Sequence, residues 1–255
     1  MKNLLIILML FFVGCKPLLA VTWSEIEPNL VLWYEFEDNC PNTTVLDSSG
    51  NGYNGAASVN TNQLSTAGKV GKGFAFDGTV DVNCLTGLED TFKANFSIVV
   101  WVKEETDIPG SGQATNIITP IGTDNFVNFG IDTSWRSVWS FYSANGLRNG
   151  SGWTETEPAP YTEPDMTHWF MAWATFEQND SDVISKVGFN LTRSDTSDPY
   201  ECVMADYISE GSLVLSRPDG SSLDNFMVFN KALSDEELEV VYKKSKPNGY
   251  VLIGR

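Results

Sequence analysis

Residues 223–238 constrain this chain more than any other segment, because an alternating apolar run passes directly into a capped helix. Leu223-Asp224-Asn225-Phe226-Met227-Val228-Phe229-Asn230 has the two-residue period of a β-strand, which predicts Asp224, Phe226 and Val228 on one face. Four residues on, Ser234 is followed by Glu237 at capping-box spacing, so hydroxyl and carboxylate satisfy the first free amides of a short helix. Upstream, apolar segments of strand length recur between turn residues. They fall at 30–36, through Phe74 and Phe76, and at 96–102, 116–121, 126–131, 138–142, 169–176, 183–191 and 213–215. Residues 47–55 are Asp, Ser, Asn and Gly with one Tyr, the chemistry of consecutive tight turns. This pattern predicts an all-β chain, a two-sheet antiparallel β-sandwich (jelly roll) with a short C-terminal helix. A chain of 255 residues suffices for one such domain, and neither an internal repeat nor a low-complexity linker divides it. The expected organisation is a signal peptide over 1–20, a tether over 21–28, the domain over 29–247 and a tail over 248–255.

The charge narrows the partners. Asp and Glu number 33 against 16 Lys and Arg, a formal charge of −17. Such a surface repels nucleic acid and anionic membranes, and leaves neutral glycans and divalent cations as fitting partners. Lys2 followed by an apolar run over 4–13 reads as an export leader, since the run falls short of the roughly 18 residues that span a bilayer. Two processing routes are open. Phe12-Val13-Gly14-Cys15 resembles a bacterial lipobox that would lipidate Cys15, and Leu18-Leu19-Ala20 suits an ordinary signal peptidase. The chain would then sit at the cell surface or outer membrane as a lipoprotein, touching membrane only through the anchor, or be secreted. Export leaves Cys40, Cys84 and Cys202, an odd number. A bridge between Cys40 and Cys84 is one reading, and small buried thiols are the other.

Three phrases in fixed order carry a resemblance: Leu46-Asp47-Ser48-Ser49-Gly50-Asn51-Gly52-Tyr53-Asn54-Gly55, Gly71-Lys72-Gly73-Phe74-Ala75-Phe76-Asp77-Gly78, and the 223–238 segment. With Tyr34-Glu35-Phe36, the run at 96–103 and the run at 168–176, they closely resemble the laminin-G-like, concanavalin-A-like lectin/glucanase jelly-roll family in its bacterial form. The resemblance covers about residues 30–243 and implies the sandwich fold. It also implies a structural Ca²⁺ held by Asp224 at the start of the last strand, together with Glu37 and Asp38 after the first. Carboxylates and backbone carbonyls are the oxygen ligands Ca²⁺ takes. Many relatives carry an acidic residue where this chain has Asn225, which removes one charge from that site.

The fold hosts lectins, adhesins and glycanases alike, so function has to come from sites. Asp77 and Asp81 flank a turn and could line a sugar site or simply stabilise their own loop. Trp135, Trp139, Tyr142, Trp153 and Tyr161 form the most lectin-like stretch. Trp135, Trp139 and Phe141 fall on one strand face and are expected in the core, whereas Trp153 and Tyr161 lie in a looser segment that suits either surface stacking on sugar rings or packing under a long loop. His168 is the only histidine, which excludes a His-rich zinc site, and no nucleophile-elbow phrase accompanies it. Retaining glycanases of this fold carry Glu-x-Asp-x-x-Glu, setting two carboxylates about 5 Å apart, and no such phrase occurs. The resulting expectation is an exported, noncatalytic module that binds a glycan or cell-surface glycoconjugate. The rival is a structural or protein-binding adhesin or envelope domain without glycan affinity, and a glycoside hydrolase comes third.

Overall fold

The computed structural model describes residues 21–83, 87–104, 114–120, 126–132, 137–144, 147–151, 167–196, 200–201, 204, 213–216 and 220–245. Two antiparallel sheets face each other. The first runs in the order Thr192–Thr196, Asp182–Phe189, Phe170–Asn179, Phe96–Glu104, Ser221–Phe229, Lys72–Ala75, Ser65–Ala67, with Leu30–Tyr34 also paired to Ser221–Phe229. The second runs Leu147–Ser151, Ser137–Ala144, Phe126–Asp132, Ala114–Pro120, Leu213–Ser216, Asp81–Asn83, Gly55–Ala57, Thr44–Val45. C-terminal strands thus enter the middle of both sheets, beside strands more than 90 residues earlier in the chain. Between the sheets lies one apolar core, in which Tyr34, Phe74, Phe96, Val127, Phe129, Phe176, Leu215, Phe226 and Val228 are fully buried. The β-sandwich and the closing helix Asp235–Lys244 are as the sequence implies.

The first sheet is covered on its other face as well. Val99, Trp101, Met171, Trp173, Met227 and Phe229 project away from the main core. They meet Ile26 from the N-terminal side and Leu238 and Val241 from the C-terminal helix. Within the segment 21–28 expected as a tether, Trp23–Ile26 is a short α-helix, Glu27–Asn29 a 3₁₀ turn, and Ile26 is wholly buried. Trp23 and Trp33 meet with ring centroids 6.0 Å apart, and Lys244 lies over the Trp23 ring at 5.2 Å. Ser234 caps the C-terminal helix reciprocally with Glu237, as its spacing predicts. Among the described residues no helix is long and apolar enough to cross a membrane.

Backbone irregularity corrects one face assignment. Asn225 adopts φ +49°, and the pairing with Phe96–Glu104 shifts between Asp224 and Met227. The bulge changes the parity of the strand. Leu223, Phe226 and Val228 join the main core, whereas Asp224 stands opposite Trp101, on the helix-covered face with Met227 and Phe229. Asp224 and Phe226 therefore do not share a face. In the other sheet, Ser137–Ala144 pairs with Phe126–Asp132. Val138, Ser140 and Tyr142 stand opposite the buried Ile131, Phe129 and Val127, while Trp139 and Phe141 stand opposite Gly130 and Asn128. The side chains of Trp139, Phe141 and Tyr142 lie outside the described residues. Trp135 lies outside the described residues.

Candidate functional site

Two glycine-containing loops, 47–55 and 68–72, are organised by buried or half-buried carboxylates near the first strand. Asp47 holds the Asp-Ser-Ser-Gly-Asn-Gly loop. Its Oδ1 accepts the amides of Trp33 (3.0 Å) and Ser49 (2.9 Å), and its Oδ2 accepts the Tyr53 amide (3.0 Å) and the Ser49 hydroxyl (2.8 Å). Asn51 then donates its amide to the carbonyls of Leu30 and Val31, fastening the loop to the strand. Gly50 and Gly52 take φ +88° and +83°, a region costly for any residue with a Cβ. The phrase that carried the family resemblance is here a folded brace.

Asp224 organises the second loop. It is completely buried, and burial pushes its carboxyl up to about 7 against the opposing pull of its hydrogen bonds. Oδ2 accepts the Val70 amide at 2.9 Å, the Lys69 amide donates as well, and Oδ1 accepts the Asn225 side-chain amide at 3.0 Å. Asn225 in turn accepts the Trp33 indole N–H at 2.9 Å. Glu37, exposed, reaches the same loop from the other side and accepts the Lys72 amide at 3.0 Å. Loop 68–72 is thus gripped by two carboxylates. A Cβ on Gly68 would come 2.9 Å from Asp224 Oδ2, and one on Gly71, at φ +63°, would collide with the Glu37 carboxylate.

The three acids assigned to Ca²⁺ do not converge on one point. Asp38 is half-buried and turned to the Leu46 amide at 3.2 Å, and desolvation raises its pKa. Each carboxylate holds backbone amides, and no group of three or more His, Cys, Asp or Glu placed to hold one ion occurs among the described residues. As arranged, the donor set does not form a calcium cage. Asp224 would have to exchange its amide donors for a cation, with movement of loop 68–72.

The remaining candidates are scattered. Asp77 sits in an exposed turn, its Oδ1 accepting the Thr79 hydroxyl (2.7 Å) and amide (2.9 Å). Asp81 is exposed in the strand Asp81–Asn83, tied through backbone bonds to Ser58. Cys40 is exposed, so the buried-thiol reading does not hold for it. Cys84, Cys202, Trp153, Tyr161 and the leader with Cys15 lie outside the described residues. His168 is exposed beside Thr167. Sequence reasoning missed Asp47, whose signal is an Asp two residues before a Ser and followed by Gly-Asn-Gly. It also missed the role of the Gly68–Gly71 pair.

No protein-family model matches the chain, and no curated protein sequence does. Solved structures do resemble it in fold. The receptor binding domain of botulinum neurotoxin C/D mosaic serotype superposes with a TM-score of 0.62 at 18% identity, covering 86% of this chain and 52% of that one. The botulinum neurotoxin serotype D binding domain gives 0.61 at 18%, covering 86% and 53%. The botulinum neurotoxin type G receptor binding domain gives 0.60 at 15%, covering 85% and 51%. The chain spans about half the length of these structures. At such identity the likeness concerns the fold.

Proposed function

We propose that this chain is an exported, noncatalytic binding module whose ligand is a glycan or a surface glycoconjugate. The observation that carries the reading is architectural. Both helices of the outer layer are spent on one sheet, and the same sandwich occurs in domains named for receptor binding. The laminin-G-like resemblance supports it from the sequence side, as does the absence of the Glu-x-Asp-x-x-Glu phrase. The net charge of −17 favours a neutral ligand over a polyanion. Export rests on the 1–20 leader, with Cys15 as the lipidated residue in the lipoprotein form.

Trp153 and Tyr161 are the proposed stacking residues, since their segment is polar and broken by Gly and Pro. Replacing each with Ala should weaken glycan binding at an unchanged melting temperature. A fall in melting temperature equivalent to roughly 3–5 kcal/mol would instead mark a buried aromatic residue. Unchanged binding in both variants removes the platform. Structural Ca²⁺ at Asp224 remains a proposal from the resemblance, with its own test. A ligand that binds only the folded state must raise the melting temperature, so identical curves in Ca²⁺ and in EDTA eliminate it.

A further inference from the structure

Resting on the glycan-binding reading, we propose that the recess between helix Thr61–Leu64 and the Asp77–Gly78 turn is a subsite for one neutral sugar residue. Val59, with the buried Leu64 beneath it, would meet the C–H face of the ring, and Asp77 and Gln63 would take its hydroxyls. The recess encloses about 330 Å³. That is the lower end of the roughly 300–1,000 Å³ of small-molecule sites, so it fits one ring rather than a chain.

Its walls are fixed before any ligand arrives. Thr61 is bound to Cys40 through its hydroxyl in both directions (3.0 and 3.1 Å), and its amide donates to Asn42 at 2.7 Å, which anchors the helix. On the other side, the Phe76 amide donates to Ser221 at 2.8 Å, and Asp77 closes its own turn through Thr79. Gly220, at φ +74°, completes the rim. A preformed site loses less entropy on binding than one ordered by its ligand.

The chemistry of the lining selects the ligand class. Leu64 is buried and Val59 half-buried, giving an apolar side, while Gln63, Asp77 and Thr79 are exposed at the mouth. No Lys or Arg lines the recess among the described residues, so an anion has no partner there. The Thr79 hydroxyl and then its amide hold the Asp77 carboxyl below the usual range, which keeps it an ionised acceptor at neutral pH. An ionised carboxylate can only accept, and a carboxamide both donates and accepts, which together match vicinal hydroxyls. With no exposed aromatic face in the lining, one ring should bind with a Kd on the order of millimolar.

The test is an NMR titration of the full exported chain with the methyl glycosides of glucose, galactose, mannose and N-acetylglucosamine, beside a glycan array. At least one glycoside should shift the amides of Gln63, Thr79 and Gly220. Asp77→Asn, which keeps an oxygen for Thr79, should weaken that binding about tenfold or more at an unchanged melting temperature, and Gln63→Ala should weaken it too. If glycans bind on the array but the recess amides stay still and both variants bind as wild type, the subsite is overturned while the glycan reading stands. If tetramethylammonium shifts these amides and no glycoside does, the recess is a cation site and the proposal fails. Silence in both experiments removes the glycan reading and the subsite with it.

Discussion

At the scale of single residues, Asp224 is the most informative position. Its carboxyl lies fully buried yet surrounded by amide donors, and burial wins, holding the group at about 7 rather than its ordinary 3.8. A carboxyl whose folded pKa is raised stabilises the fold while protonated. That contribution is complete below about pH 4 and is lost as the pH rises through about 7. Wild type should therefore lose stability across this window relative to Asp224→Asn, which has no proton to lose. Urea melts at pH 4 and pH 8 should show the gap between the two proteins change by a few kcal/mol in that direction. A constant gap would mean that Asp224 ionises normally. The sequence points to Asp224 as special, but for a face it does not occupy. The bulge at Asn225 leaves only a weak signal in the residue types: Asn tolerates the left-handed region better than other non-glycine residues, and its bonds to the Trp33 indole and Asp224 then hold it at φ +49°. Asp77 is legible as a turn residue, whereas the recess beside it is not, because Val59, Gln63 and Gly220 meet there only after folding.

At the scale of elements, the sequence is a good guide where a local rule governs and a poor one where packing does. The C-terminal helix announces itself through Ser234 and Glu237, and both reciprocal bonds form. Strands such as Phe96–Glu104 and Phe170–Asn179 are legible from their apolar run, being buried on both faces. The helix Trp23–Ile26 is not. One turn is too short to nucleate alone, and it persists because Ile26 and Trp23 pack into the cluster that Leu238 and Val241 complete. The same contrast orders the expected losses in the C-terminal helix. Leu238→Ala should cost about 2–5 kcal/mol by opening that cluster, and Ser234→Ala about 0.5–2 kcal/mol by removing the cap. Glu239→Ala, which breaks an exposed pair with Lys243, should cost no more than about 0.5 kcal/mol. Chemical denaturation of the three variants checks the ranking, and a Leu238→Ala protein as stable as Glu239→Ala would contradict the helix-covered face.

At the scale of the whole molecule, the class of fold was readable and the sheet order was not. Alternation and turn residues suffice for a sandwich. Nothing local places Ser221–Phe229 between Phe96–Glu104 and Lys72–Ala75, or Leu213–Ser216 beside Ala114–Pro120, since such pairings join segments far apart in the chain. The consequence for function is an asymmetric molecule. One sheet has its outer face covered by the helices Trp23–Ile26 and Asp235–Lys244, so under the proposed reading recognition falls to the loops, the rims and the second sheet. An acidic molecule of this kind should recognise a neutral ligand through hydroxyl and C–H contacts, and such contacts do not depend on attraction between charges. The most direct measurement is a glycan array probed with the full chain, at low salt and again in about 0.5 M NaCl, where exposed charges are screened beyond a few ångströms. A restricted set of neutral glycans should bind equally at both salt concentrations. Binding that vanishes in high salt, or no glycan bound under either condition, would contradict the proposed reading.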